Sequence, residues 1–409
     1  MQLWRKPDFL KLWAGQAISL LGSQVTSLAI SLTAAIVLNA TPAEMGLIGS
    51  LNVLPFVLFG LPAGVWVDRV RRRPIMIAAD VGRAMLLASV PLAALAGRLG
   101  LPQLYIVSFG MGAMTVIFRV AYGSLLPSVV SRSELADGNA KLALAEAVAR
   151  VAGPGLAGGL VQLLTAPIAI LVDCASFLVS AVSLGAIRAR EEVTPRPPAG
   201  GIVPQLREGF GAVLDQPLLR PLFFGMGLGN VADGLVFQSG VVVLFLTREV
   251  GFAPAVLGGV FAGLGIGGLI GAALAGPATR AFGLGATILG CLGLWSVGYG
   301  GLAFINASPL APVLVAILLG AVGAINPVAG ANVSTVRQIV TPGHLLGRVT
   351  AVVSVGAMTA LTAGSVAGGL IGDSIGLRPT LLLGGLLPLI GLMWVLVSPV
   401  RTLRSLDVS

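Results

Sequence analysis

The chain has 409 residues, of which 56% are hydrophobic and only 10% are charged, and its formal net charge is +9. Soluble domains carry about 25% charged residues, so this composition excludes an ordinary water-soluble globule. Runs without any charge, such as 12–38 and 310–325, match the roughly 20 apolar residues that cross a bilayer as a helix. The composition therefore predicts an all-α membrane protein.

The residues that usually build catalytic or metal sites are scarce. The two cysteines, Cys174 and Cys291, lie inside apolar runs, where we expect them to pack as small hydrophobic side chains. The single histidine, His344, lies in a polar connection, so the sequence offers no His/Cys ligand set. We expect no catalytic residues, no metal and no cofactor, and hence a protein that is not an enzyme.

Charged, Gly/Pro and polar clusters divide the chain into membrane-spanning segments. The sequence predicts twelve spans, near residues 12–38, 44–67, 74–97, 103–123, 141–164, 167–187, 219–246, 254–277, 284–305, 310–335, 347–372 and 379–398.

A long polar connection separates two sets of six spans. It predicts an N-terminal bundle over 1–187, a cytoplasmic linker over 188–218 and a C-terminal bundle over 219–409. The second part of the linker places Leu206 and Phe210 on one face together with Val213 and Leu214, which favours an amphipathic helix on the membrane surface.

The positive charges are strongly asymmetric across the predicted spans. With the N-terminus inside, 19 of the 25 Lys and Arg residues fall in cytoplasmic segments and 3 fall outside. By the positive-inside rule this split predicts that both termini are cytoplasmic. The net positive charge then lies mainly along a rim that faces anionic lipid, and it requires no nucleic-acid partner.

The two halves of the chain resemble each other. Pro42, Gly46 and Gly64 have counterparts 212 residues later, and the run AGGL at 157–160 recurs 210 residues on, at 367–370. Several matches at nearly one offset indicate a duplicated six-helix unit. Such repeats around a site near the membrane midplane are typical of secondary transporters.

Several motifs resemble those of the major facilitator superfamily. GVWVDRVRRRP at 64–74 resembles its loop signature, and GPGLAGG at 153–159 is similar to its antiporter motif. Arg119 keeps the Arg-x-x-x-Gly spacing of the proton-antiporter motif. LVDCASFLVSA at 171–181 and LLGRVTAV at 345–352 resemble the enterobactin-exporter and macrolide-efflux branch. The resemblance implies twelve transmembrane helices in two pseudo-symmetric six-helix bundles.

The loop signature predicts a gate at the cytoplasmic side. The resemblance implies that Asp68 accepts hydrogen bonds from the amides at the start of the eleventh span, a contact that stabilises an outward-open state. Alternatively, the arginines of this loop only enforce orientation. Arg71 departs from the signature, which has Gly there. The residues assigned to the gate are Gly64, Asp68, Arg69, Arg72, Gly347 and Arg348.

Asp233 is the candidate proton carrier. It lies about 22 Å along the seventh span at 1.5 Å per residue, near the membrane midplane. No basic residue lies within a turn of it, and Asn230 is one turn before it. Burial favours the neutral form of such a carboxyl, so it can exchange a proton. A neutral aspartic acid that only hydrogen-bonds between helices is the alternative.

Other intramembrane charges lie in the first half. Asp80 with Arg83 and Glu146 with Arg150 are spaced to share a helix face. These pairs form either a structural polar cluster or, with the Arg119 of the fourth span, a proton-sensitive inner gate. Asp173 in the sixth span is a weaker candidate, for which we expect a role in helix packing. The residues assigned to proton coupling are Asp233, Glu146, Asp80, Arg119 and Arg150.

Polar side chains in an otherwise apolar path predict the substrate cavity. The resemblance implies that the first, fourth, seventh and tenth spans line it, and interhelical hydrogen bonding is the alternative role for these side chains. The assigned cavity residues are Gln16, Ser23, Ser27, Asn230, Asn326 and Asn332. In the fifth span a proline kink and close helix contacts are expected at Gly153, Pro154, Gly158 and Gly159.

These features favour a secondary active transporter of the bacterial cytoplasmic membrane. We expect a monomer that exports small amphiphilic compounds, either a drug or a siderophore-like metabolite, by proton antiport and alternating access. The proton gradient is then its energy source, and its partners are the substrate and the lipid bilayer. A translocator of lysophospholipid or another lipid is the alternative, and a non-transporting membrane sensor or scaffold is the alternative from another class.

Overall fold

A computed structural model describes residues 3–67, 70–188 and 201–403. The described part is 88% helical and contains no strand. Its helices are α1 Pro7–Leu32, α2 Pro42–Val67, α3 Arg72–Leu95, α4 Leu101–Val129, α5 Leu135–Leu164, α6 Ala166–Gly185, α7 Ile202–Asp215, α8 Leu219–Asp233, α9 Val241–Leu244, α10 Pro254–Phe282, α11 Leu284–Leu302, α12 Ala311–Val340, α13 Leu346–Ile375 and α14 Leu377–Leu396.

The helices confirm the predicted set of spans. Among the described residues, eleven helices are long and apolar enough to cross a membrane, and the bent pair Leu219–Gln238 and Val241–Glu249 makes a twelfth when it is counted as one span. The linker helix is also present as α7. Its Val213 is buried, whereas Phe210 remains 42% exposed and contacts the ring of Phe223 edge-on, with the ring centroids 6.1 Å apart.

The described residues group into two compact units. Unit 1 covers Met1–Ala40, Leu51–Ala199 and Ala253–Ala262 over its described residues, and unit 2 comprises the other segments. Thr41 and the first turns of α2, up to Ser50, therefore group with unit 2. The first turns of α10 group with unit 1 in the corresponding way.

A hydrophobic core lies at one end of unit 1. It joins the starts of α1 and α3 to the ends of α2, α4 and α6, which is the arrangement that antiparallel neighbouring helices produce. Lys6 pairs with Glu134 at 2.6 Å and so connects the segment before α1 with the turn before α5. The buried residues of this core are Leu3, Phe9, Leu12, Val67, Met76, Ala79, Phe118, Ala121, Leu125, Leu126, Val130, Leu184 and Ile187.

The repeated glycines pack helices closely in both units. In unit 1, a methyl group at Gly158 of α5 would lie 2.9 Å from Cα of Gly258 on α10. In unit 2, a methyl group at Gly46 of α2 would lie 2.8 Å from Cα of Gly369 on α13. Gly46 and Gly258, which are counterparts in the repeat, thus lie in close seams in both units, whereas Gly369 is the residue after Gly368, the counterpart of Gly158. Small residues permit such close packing in a membrane.

Candidate functional site

The seventh span is interrupted. After α8, a π-helical turn runs over Gly234–Gln238, and Gly240 adopts a left-handed conformation with φ +72° before α9 begins. The two parts of the span differ in direction by 41°. Gly234 lies so close to α13 that a methyl group there would approach the carbonyl oxygen of Leu361 to 2.3 Å. π turns within helices are frequent at functional sites.

Asp233 is the last residue of α8 and points towards α11. Its Oδ1 accepts a hydrogen bond from the indole Nε1 of Trp295 at 3.3 Å and another from the hydroxyl group of Tyr299. Asn230 does not contribute to this contact, because its Nδ2 donates to the carbonyl oxygen of Met226 at 2.9 Å. The carboxyl group is thus held by two neutral donors.

Asp233 makes no ion pair with any residue in the described part of unit 2. Its charge is therefore compensated only by hydrogen bonds, which makes the ionised form costly in an apolar surrounding. A group of this kind can lose its charge by binding a proton. The hydrogen bonds from Trp295 and Tyr299 join α11 to α8. Such bonds are also expected of the alternative, a neutral aspartic acid that only hydrogen-bonds between helices.

The sequence contains a signal for these partners that hydropathy alone does not use. Trp295 and Tyr299 are four residues apart in one apolar span, so they share a helix face. Both carry a hydrogen-bond donor that needs an acceptor when it is buried. Asp233 is the one carboxylate inside the predicted spans of the second half, so it is the acceptor to expect.

The predicted cytoplasmic gate is described in part. Asp68 and Arg69 lie outside the described residues. Arg72 begins α3 and is half-buried. A methyl group at Gly64 or at Gly347 would meet no atom of the described residues within 4 Å, so neither glycine lies in a close helix contact with them.

Arg348 has a partner that the sequence did not reveal. Its Nη1 donates to Oε1 of Glu208 on α7, the helix of the linker. Next to this pair, a methyl group at Gly209 would lie 2.6 Å from the carbonyl oxygen of Arg348. The start of α13 is therefore held by α7 within unit 2.

The charged pairs predicted in the first half are formed, in different surroundings. Asp80 and Arg83 form an ion pair whose side chains are 0% and 6% exposed. Glu146 and Arg150 also pair, but their side chains are 42% and 63% exposed. Arg119 is exposed and lies over the ring of Phe56, 5.9 Å from its centroid.

The predicted cavity residues differ in exposure. Ser27 and Asn326 are exposed, and Gln16, Ser23 and Asn230 are half-buried. Asn332 is buried and its Oδ1 accepts from the hydroxyl of Thr279 at 2.9 Å. For Asn332 the structure shows the interhelical alternative, whereas the other assignments stay predictions.

The motif of the fifth span packs two of its glycines. A methyl group at Gly153 would lie 2.4 Å from Cβ of Gln24 on α1. Gly158 faces Pro254 and Gly258 of α10, whereas a methyl group at Gly159 would meet nothing within 4 Å. Pro154 lies inside α5, which continues through it.

Comparison with known proteins identifies the family. A family model described as "Transmembrane secretion effector" matches residues 3–409. The chain belongs to this family of the major facilitator superfamily. Multidrug efflux pump Tap of Mycolicibacterium fortuitum is 28% identical over 385 residues, covering 91% of this chain and 90% of that protein. Macrolide efflux protein A of Streptococcus pyogenes is 25% identical over 185 residues, 45% of each chain.

Solved structures agree with this membership at the level of the fold. The crystal structure of a bacterial homologue of the iron transporter ferroportin in an inward-facing state aligns with a TM-score of 0.75 at 17% identity, covering 95% of this chain and 98% of that one. The resemblance and the fold inferred from the sequence are thus confirmed. This member of the superfamily is an integral membrane transporter and not an enzyme.

Proposed function

We propose that this transporter exports small amphiphilic compounds in exchange for protons. The observation that carries the proposal is Asp233, a carboxyl group at the interruption of the seventh span that two neutral donors hold without a counter-ion among the described residues of unit 2. The names of the relatives, a multidrug efflux pump and a macrolide efflux protein, support an amphiphilic substrate and the direction of transport.

Asp233 carries the proton in this mechanism. When the carboxyl group is protonated, no charge is buried, and the helices around it can move without exposing an ion to lipid. When the proton leaves, the hydroxyl of Tyr299 and the indole of Trp295 stabilise the carboxylate that remains. The two donors also fix the position of Oδ1, so proton exchange occurs at one defined place on α8.

The interruption after α8 connects protonation of Asp233 to a change in the conformation of the seventh span. A π turn, a feature that is frequent at functional sites, separates Asp233 from α9. We propose that protonation changes this turn and thereby the access to the site from the two sides of the membrane. Asp68 and the start of α13 near Arg348 then serve as the cytoplasmic latch.

The remaining properties follow from the same proposal. The transporter acts as a monomer in a bacterial cytoplasmic membrane. Both of its termini lie in the cytoplasm, an orientation that the distribution of Lys and Arg supports. The proton gradient supplies the energy, and no cofactor takes part.

The test uses the purified full chain in proteoliposomes that contain a trapped pH-sensitive dye. Erythromycin and ethidium are added as probes, and the lumen pH is followed. In vesicles with the cytoplasmic side outward, uptake of a probe should alkalinise the lumen as protons leave. Probe movement without a pH change would overturn proton antiport. Movement of labelled lysophospholipid alone would favour the lipid translocator.

A matched variant identifies the carboxyl group. Asp233→Asn should abolish the pH change, whereas Asp373→Asn at the exposed end of α13 should retain it. Loss of the pH change in both variants would mean that any removed carboxylate impairs the protein. Retention in both would assign the proton to another group.

A further inference from the structure

A second set of ionisable side chains is buried within unit 1. Asp80 and Arg83 lie on α3, and Asp173 lies on α6. Their relative exposures are 0%, 5% and 0%, so all three lie inside the protein. We call Asp80, Arg83 and Asp173 the junction cluster, because α6 packs here against both α3 and α1.

Arg83 is the only cation of the junction cluster. Its Nη2 donates to Oδ1 of Asp80, and its guanidinium group packs against two rings. The distances from Cζ are 4.4 Å to the centroid of Phe118 and 4.2 Å to that of Phe177. Arg83 is only 5% exposed, so its charge acts on Asp80 and on Asp173 nearby rather than on solvent.

Several polar atoms of the cluster have no partner among the described residues. The second carboxyl oxygen, Oδ2, of Asp80 accepts no hydrogen bond, and neither does Oδ2 of Asp173. Nε of Arg83 is likewise without a bond to any described residue, and the hydroxyl group of Thr26 on α1 faces the carboxyl group of Asp173. Buried polar atoms are almost always hydrogen-bonded, so this concentration at one place indicates that the cluster holds something further.

The charges of the cluster do not balance. Two carboxylates and one guanidinium leave one negative charge, and an unpaired buried charge is far more costly than a buried pair. Cys174, the neighbour of Asp173, contributes no charge, since its Sγ donates to the carbonyl oxygen of Ala84 at 3.2 Å.

The other charged groups on the surrounding helices are engaged elsewhere. On α1, α4 and α5 the described contacts are Asp8 with Lys11, Arg119 with the Phe56 ring, Asp137 with Lys141, and Glu146 with Arg150.

We propose that Asp80 and Asp173 share one proton, so that the junction cluster is a second proton-binding site of the transporter. Arg83 compensates one carboxylate and the proton neutralises the other. A protonated carboxyl group supplies an O–H donor where the structure has unpartnered oxygens. The proton belongs to the pair rather than to one residue, as in other coupled carboxyl groups.

The packing favours a proton over a metal ion. Oδ1 of Asp173 accepts from the hydroxyl of Ser176 at 2.7 Å, and the backbone of α1 lies directly against both groups. A methyl group at Gly22 would lie 2.4 Å from that Oδ1 and 2.4 Å from Oγ of Ser176. A hard cation such as Ca²⁺ or Mg²⁺ requires about six oxygen ligands, whereas a proton needs no additional space.

This site goes beyond the proposed function, which rests on Asp233 in unit 2. It places a second protonatable centre between α3 and α6, where α6 also packs against α1, the helix that carries the predicted cavity residues Gln16, Ser23 and Ser27. Loss of this proton would leave an uncompensated negative charge between the three helices. Their packing is thereby sensitive to protonation.

The first test follows unfolding of the purified full chain in mixed detergent and SDS micelles at pH 6, 7 and 8. Aspartates of the unfolded chain are ionised at these values. Each proton held only by the native state raises the unfolding equilibrium constant about tenfold per pH unit of increase. In Asp173→Asn, and likewise in Asp80→Asn, we expect the unfolding equilibrium constant to rise about tenfold less per pH unit than it does in the wild type. Asp137→Asn, which removes an exposed carboxylate on α5 outside the cluster, should not change the pH dependence of the wild type.

A double variant tests the charge balance. Asp80→Asn with Asp173→Asn leaves Arg83 buried without an anion, so it should be much less stable than either single variant at every pH. Double-variant stability equal to that of the single variants would overturn the proposal. An unchanged pH dependence in both single variants would also overturn it.

A second measurement does not depend on stability. Infrared spectroscopy of the Asp233→Asn protein at pH 7 should show the C=O stretching band of a protonated buried carboxyl group, and Asp173→Asn in that background should remove it. Absence of the band from the Asp233→Asn protein would refute the shared proton, and it would leave the role of Asp233 untouched. Stabilisation of the wild type by NaCl relative to choline chloride would assign the site to Na⁺ instead.

Discussion

Replacing Gly158 by alanine measures how much the close seam between α5 and α10 contributes. The added Cβ would lie 2.4 Å from the carbonyl oxygen of Pro254 and 2.9 Å from Cα of Gly258. Ordinary contacts between such atoms are about 3.5–4.0 Å, so the two helices must separate by about 1 Å. Overpacking of this kind costs about 1–3 kcal/mol. That cost corresponds to a factor of about 5 to 150 in the unfolding equilibrium constant.

The neighbouring glycine is the matched control. A methyl group at Gly159 would meet no atom of the described residues within 4 Å. Both substitutions gain the same helix propensity, at most about 1 kcal/mol, so the difference between Gly158→Ala and Gly159→Ala isolates the contact. Unfolding in mixed micelles should show the first variant less stable than the second by about 1–3 kcal/mol. Equal stabilities would refute the close contact between the helices.

Two further substitutions test the contacts of α11 and α7. Tyr299→Phe removes a donor to Asp233, and a hydrogen bond to a charged group is worth about 1.5–3 kcal/mol. The initial rate of proton-driven probe uptake should therefore fall at least tenfold, and an unchanged rate would mean that the bond does not matter for transport. Glu208→Gln breaks the ion pair with Arg348, whose partners are 50% and 35% exposed. Its effect on unfolding should stay below about 1 kcal/mol and vanish at high salt, so a larger, salt-independent loss would contradict a solvated pair.

The spans and the family could be predicted from the sequence because both depend on local patterns. Apolar runs set the helices, and the loop signature lies within eleven consecutive residues at 64–74. The start of the fifth helix was placed at 141, whereas α5 begins at Leu135. Its first turns are polar, and Asp137 pairs with Lys141 there, so hydropathy excluded residues that are nevertheless helical.

The contacts within the candidate sites depend on residues that are distant in the chain. Trp295 and Tyr299 are 62 and 66 residues from Asp233, and no pattern near Asp233 identifies them. Asp173 is only a weaker candidate from the sequence, because Arg83, whose charge acts on it, lies on another helix. The internal repeat was more informative, since Gly46 and Gly258, which it makes counterparts, each lie in a close helix seam of their own unit.

The central claim is that Asp233 couples transport to protons, and one comparison tests it most directly. Wild type and Asp233→Asn are reconstituted and assayed for a panel of labelled amphiphiles, including erythromycin and ethidium. One assay measures accumulation against a gradient driven by a pH difference, and the other measures counterflow without one. We predict that Asp233→Asn loses accumulation and retains counterflow. Full accumulation by the variant would contradict the account.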